Sequence, residues 1–390
     1  MRPLRTYALL NNLATSLINP FISFFSASNG IIGPFLALVS SANTAFPGIM
    51  QYILANLSIR AKRMIIIGDL LSGILWITIG ALGIYNSMFV LIYVIIAALL
   101  GVANFGWLLI LDKVSGTKRG TTLAYYNFYA YIGGLVATLI TGLIVKDDLS
   151  LMDYFFIIGG IIYIINCFVI SRLDVDVKFI KSKTSVKNLI LNNSEMRKFI
   201  LASFIFTLIW SMAWPIFPLA QVYKFHMNEF QIAIINLTGG LSTVALQRLV
   251  GRLVDKHRRR VMFFERFALA TFPLAYALST YTYQIYLANL VSGFTNSASI
   301  SYTAYLFDNS NYYEKRANIA LYNMFNGFAA LIGSTLSSVF FEILSSHLSL
   351  VFSIDLMLLM IGILRILASL LFLTVRDRSK AENSNIINKY

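Results

Sequence analysis

The side chains in this sequence whose spacing suggests chemistry are mostly amides, hydroxyls and aromatic rings. Asn289, Ser292, Asn296, Ser299 and Thr303 recur at helical intervals and share one face. Asn12, Ser16 and Asn19 form a shorter stripe ahead of Pro20. Trp210, Trp214 and Gln221 share a side of a segment that Pro215 and Pro218 are expected to bend. In apolar surroundings such groups either bond helices to one another or face water and a solute. Three acids, Asp69, Glu265 and Asp355, interrupt apolar runs and are candidates for carrying a proton, with ion-pair or dipole stabilisation as the alternative. The three histidines, His226, His257 and His347, fall in polar connections, and the one cysteine, Cys167, in an apolar run. Asp174 and Asp176 lack further ligands nearby, so no metal site, cofactor or catalytic residue is expected and the chain does not read as an enzyme.

The elements that must position these groups follow from composition. The 390 residues are 58% hydrophobic and only 12% charged, with mean hydropathy +0.73. A water-soluble surface needs more charge than that, so the chain is expected to be a multi-pass membrane protein. The same numbers exclude a disordered chain and a disulfide scaffold. Net charge +14 would suggest a nucleic-acid partner, but the basic residues lie in short connections between apolar runs, so none is expected.

About twenty apolar residues cross a bilayer. Twelve such segments can be read, six before and six after a polar stretch at 172–196. The halves span 1–171 and 197–375, with a tail at 376–390. With the N-terminus inside, 27 of 31 Lys and Arg residues fall on the inner side, two, Lys146 and Lys224, outside, and two, Arg266 and Arg365, within apolar segments. That asymmetry predicts a plasma-membrane protein with both termini cytoplasmic. Arg2 and Arg5 ahead of an apolar run imitate a signal peptide, but cleavage there would invert every later connection. The basic linker segment at 178–187 reads as a tether or as a surface for anionic lipid.

The halves repeat. A shift of 196 residues lays Asp69 on Glu265, Asp112 on Asp308, and Tyr126-Asn127 on Tyr322-Asn323. The basic triplet Arg60, Lys62, Arg63 likewise falls on Lys256, Arg258, Arg259. Parallel repeats about an axis along the membrane normal are a known transporter architecture.

The most specific motif is Gly251-Arg252-Leu253-Val254-Asp255-Lys256-His257-Arg258-Arg259-Arg260, between the eighth and ninth segments. It resembles the loop signature of the major facilitator superfamily. Gly251 would permit close helix approach and the basic residues would hold a turn. The first-half copy departs from the pattern, with Ala55 for the glycine and Ile59 for the acid. The fifth segment also lacks the Gly-Pro pattern of the family's drug antiporters.

The resemblance implies an all-α fold of twelve helices in two six-helix bundles. Helices 1, 4, 7 and 10 would line a central cavity containing Asn12, Ser16, Asn19, Trp210, Trp214, Gln221, Asn289, Ser292, Asn296, Ser299 and Thr303. Asn127 and Asn323 on the flanking helices would join them. It further implies a latch of Gly251, Asp255, Lys256, Arg258, Arg259 and Arg260 acting with Asp308 and Asp112. The lining helices carry no charge between their ends, so a neutral or amphipathic solute is expected. The expected function is secondary transport by alternating access, in a monomer whose partners are the solute and the bilayer, with Asp355, Asp69 and Glu265 as candidates for coupling to protons. Export of lipophilic compounds and a non-transporting sensor are the alternatives; a sensor would be expected to carry a further domain.

Overall fold

The computed structural model describes residues 2–54, 59–115, 119–177, 194–309 and 315–375. These residues are helical almost throughout. The first half contains α1 (Arg2–Ser28), α2 (Gly33–Leu54), α3 (Ala61–Leu82), α4 (Ser87–Ser115), α5 (Arg119–Val145) and α6 (Met152–Ser171). In the second half, α7 spans Ser194–Lys224 and a long rod, Glu229–Ala268, bends at His257 into α8 and α9. The ninth helix resumes at Thr271–Leu278. Three pieces, Thr282–Asn289, Ser292–Ala298 and Ile300–Asp308, make α10. The last two are α11 (Lys315–Ser345) and α12 (Leu350–Ser369). Among the described residues, eight stretches are long and apolar enough to cross a membrane by themselves. The other crossings are broken or rich in small and polar residues, as in α2 and α10, and depend on neighbours to shield them.

Within each half, short-side-chain seams set the packing. Gly73 on α3 meets Gly160 on α6 so closely that a Cβ on either would lie 2.6 Å from the other's carbonyl oxygen. Between the halves, α2 packs on α11 and α5 on α8. Gly48 sits against the Asn323 backbone and Gly327 against that of Ala45, letting α2 and α11 touch along their backbones.

The prolines break helices where the sequence suggests. The expected bend in α7 is present: after Ser211 a turn leads through Pro215 into Ile216–Leu219 and a wide turn at Ala220–Lys224. A second break lies in α9, where Pro273 cannot supply the N–H that would bond the Leu269 carbonyl. Arg365 on α12 makes good the loss. Its Nη1 donates to Leu269 O at 2.7 Å and its Nη2 to Trp210 O at 2.5 Å. One buried guanidinium therefore caps both broken helices.

Two sequence readings need correction. The motif between α8 and α9 is a helix with a single non-helical residue, His257 (φ −141, ψ 43), and no separate loop. Gly251 permits no close approach, because a Cβ there would meet nothing within 4 Å.

The start of the linker fastens to the first half. Ala61 N donates to Val177 O at 2.8 Å and Lys62 N to the Asp176 carboxylate at 3.1 Å, closing the N-terminus of α3. The Lys62 ammonium bonds the carbonyls of Ser171 and Leu173, and Lys113 that of Asp176. Asp174-Val175-Asp176 is thus a capping segment. The basic segment at 178–187 lies outside the described residues.

Candidate functional site

A cavity of about 250 Å³ lies between the halves. Thr44, Pro47, Gly48 and Gln51 of α2 form one wall. Thr207 and Trp210 of α7, Tyr322, Asn323 and Asn326 of α11, and Arg266 of α9 form the other. Asn323 donates across the interface to Gln51 at 2.8 Å, and Thr207 donates to Asn326 at 3.1 Å. Trp210 meets Trp214 edge to face at 4.9 Å.

Arg266 is the unexpected member. The absence of charge on helices 1, 4, 7 and 10 predicts an uncharged cavity, yet a guanidinium enters the wall from α9, a helix not among those expected to line it. Rings surround it, with Cζ 4.2 Å from the Tyr302 centroid, 4.5 Å from Phe206, 5.4 Å from Phe372 and 5.9 Å from Trp210. Its Nε lies 3.4 Å from a Glu265 carboxylate oxygen, too poorly aligned for a hydrogen bond. Glu265 accepts instead from the Tyr302 hydroxyl. The nine residues from the His257 bend place Arg266 about 13 Å into the helix, well inside a hydrocarbon core.

The remaining sequence-selected residues divide by place. Asn12 and Ser16 face α5: a Cβ at Gly134 would lie 2.8 Å from Ser16 Oγ and 3.2 Å from Asn12 Oδ1. Asn19 is half-buried farther along α1. Gln221 donates to the Tyr276 hydroxyl at 2.9 Å, within the second half. On α10, Asn289 bonds its own helix, Ser292 packs on Gly239 and Asn296 donates to Thr243 at 3.1 Å. Asn296, Ser299 and Thr303 are exposed outside the cavity. Of the sequence-selected set, Trp210 and Asn323 line the cavity and Trp214 stands behind Trp210. The side chain of Asn127 lies outside the described residues.

The acids separate as well. Asp355 bonds the Lys224 ammonium at 2.6 Å, and Lys224 also caps the carbonyls of Tyr276 and Ala277. Asp69 is fully buried beside the Tyr7 hydroxyl, Tyr163 and Cys167, with neither oxygen in good hydrogen-bond geometry. In the motif, Asp255 and Lys256 are exposed; Arg259 donates to the Leu373 carbonyl and Arg260 is exposed. Arg258 is half-buried. The side chains of Asp112 and Asp308 lie outside the described residues.

At the end of the molecule away from the Lys- and Arg-rich connections, the halves are joined directly. Asn228 donates to the Asp147 carboxylate at 2.7 Å and Glu229 N to Lys146 O at 3.2 Å. A larger depression of about 560 Å³ opens at this end beside Asn29, Phe35 and Tyr85. It belongs to the first half alone, so a path between the halves does not run through it. Burial first, then the bond it donates to Asp153, pushes the Tyr85 phenol up to about 12, so it remains a donor.

A family model described as Major Facilitator Superfamily matches residues 6–196 and 199–387. The chain belongs to the major facilitator superfamily. Solved structures agree in fold with this member. The nucleoside transporter NupG superposes with TM-score 0.73 at 14% identity, covering 96% of this chain and 98% of that one. A D-xylose-proton symporter gives 0.70 at 15% identity over 97% of each chain. A POT family transporter in complex with a thioalcohol-conjugated peptide gives 0.72 at 10% identity, over 95% and 94%. Among curated proteins, none matches this sequence. The superfamily's two-bundle, twelve-helix architecture and its role as a transporter family thus hold for this chain.

Proposed function

We propose that this protein is a secondary active transporter of a small amphipathic organic solute, working by rocking of its two bundles. The observation carrying the proposal is the interface cavity, bounded by α2 on one side and by α7, α9 and α11 on the other. It offers amides, hydroxyls, indole and phenol to a solute, and it lies where the two bundles would separate. The bonds at Asp147, Lys146, Asn228 and Glu229 close one end of the interface and would break in the opposite state. Arg266 removes the premise for an uncharged solute and leaves the amphipathic one. The similarity to a nucleoside transporter, a D-xylose-proton symporter and a POT family transporter in complex with a thioalcohol-conjugated peptide agrees with a polar organic cargo. The Lys and Arg asymmetry supports a plasma-membrane protein with cytoplasmic termini.

Asp69 is the favoured proton carrier. Glu265 and Asp355 each have a cationic neighbour, whereas Asp69 has none among the described residues. The test is uptake and counterflow in proteoliposomes holding the purified protein, with nucleosides, sugars, peptides and small amphipathic acids and amides as cargo. Saturable flux of at least one class, accelerated by a pH gradient and insensitive to that gradient in Asp69→Asn, is the expected result. Folded protein that mediates no saturable flux of any class would refute the transport reading.

A further inference from the structure

The wall of the cavity between the halves contains a positive charge that the described residues do not fully balance. Arg266 and Arg365 both reach Trp210, the first to its ring and the second to its carbonyl. Glu265 is the one carboxylate beside either of them among the described residues, and Arg365 bonds only backbone carbonyls. Two guanidiniums and one carboxylate leave a single positive charge in a water-poor interior, a costly arrangement unless something completes it. Aromatic faces soften the cost around Arg266, and the neutral Tyr302 hydroxyl beside it supplies polarity but no balancing charge. Its Nε is buried and without a partner, and Tyr302 occupies Glu265 instead. The opposite wall, Thr44, Pro47, Gly48 and Gln51, supplies no acid.

The repeat shows that this is not inherited symmetry. The first-half counterpart of Glu265 is Asp69, and the residue that falls on Arg266 is Leu70. Only the second half places a cation beside the acid, and it aims that cation at the interface.

We propose that the cavity is specific for solutes bearing one anionic group, a carboxylate or its equivalent, which docks on the Arg266 guanidinium while a planar body lies against Trp210 and Tyr322. The anion completes the charge balance and accepts from the guanidinium where it borders the cavity; a guanidinium suits such a flat, two-oxygen acceptor. Glu265 acts as a stand-in that holds Arg266 when the cavity is empty. The carboxamides of Gln51 and Asn323, bonded across the interface, can turn toward the remainder of the solute. This specificity rests on the transport reading but can fail without it.

The experiment measures thermal stabilisation of the detergent-purified full-length protein by benzoate, phenylacetate and indole-3-acetate, each against its matched amide and amine. Carboxylates are expected to stabilise and their amides and amines to do so far less. Arg266→Gln should weaken carboxylate binding roughly ten- to a hundredfold, the loss expected for hydrogen bonds to a charged group. Arg266→Lys should fall between. Glu265→Gln removes the internal competitor and should tighten carboxylate binding several-fold. The double variant Glu265→Gln/Arg266→Gln removes both charges together, so it remains informative even where Arg266→Gln alone does not fold, and it should show no preference for the acid. The proposal is overturned if amides or amines match the acids, if the double variant keeps the preference, if Glu265→Gln loosens it, or if no member of the panel binds. A neutral compound that binds and is carried into proteoliposomes would overturn the anion specificity while sustaining the transport reading.

Discussion

Glu265 and Arg266 are consecutive in the chain, yet their side chains lie in different environments, and this difference governs the residue-scale behaviour of the site. Glu265 is tied by the Tyr302 hydroxyl among rings, whereas Arg266 borders the cavity. Asp69, the repeat partner of Glu265, has no cation beside it among the described residues. Asp69→Asn should therefore leave the melting temperature unchanged or raise it, since a buried carboxyl without a salt bridge contributes desolvation cost and little else. A loss above about 2 kcal/mol in a denaturation series would reveal a partner that holds it charged. Asp355 behaves differently. Its bond to Lys224 is partly exposed, so Asp355→Asn should cost no more than about 1 kcal/mol, and Lys224→Met in the same chain should recover part of that loss. If the two losses simply add, the pair contributes nothing.

At the scale of elements, Arg365 is the side chain on which the second bundle most depends. It replaces the hydrogen bond that Pro273 denies to Leu269 and caps the end of the first piece of α7. Arg365→Met would strand two buried carbonyls and should cost about 3 kcal/mol by thermal denaturation. Adding Pro273→Ala returns an N–H to Leu269 and should recover about 1 kcal/mol. An unchanged melting temperature on that addition would show that the capping carbonyl is not the source of the loss. The helices themselves were legible from sequence: apolar run length marks the crossings, and Pro215 and Pro218 mark the bend in α7. The cavity was only partly legible. Periodicity groups Asn289, Ser292 and Asn296 on one face but cannot say that α8 occupies it, because the azimuth of a helix is set by neighbours distant in sequence. Arg266 escaped for a related reason. Its route to the interface runs past Phe206, Trp210 and Tyr302, on two other helices. A guanidinium in an apolar run is the signal the sequence offers, and the number of the helix that holds it does not show that it reaches the cavity.

At the scale of the whole molecule, the interface is a set of contacts that must open and close. The Asn228–Asp147 bond belongs to the closed end. With Cys167 replaced by Ser, a short bismaleimide joining Asp147→Cys to Asn228→Cys should halt transport while leaving binding to the cavity intact. Undiminished transport after complete cross-linking would show that this end does not open during the cycle. Gln51→Ala and Asn323→Ala remove the same bond from opposite sides and should change transport to a similar extent, whereas unequal effects would assign one of them to the solute.

The fastening of Asp176, Val177 and Lys62 has a consequence for biogenesis. As the ribosome delivers the chain, the segment that locks the base of α3 emerges directly after α6, before any residue of α7. The first bundle can thus complete its own closure while the rest is still being synthesised. A cell given two separate messenger RNAs, divided within 178–193, should accordingly assemble a working carrier from the two polypeptides.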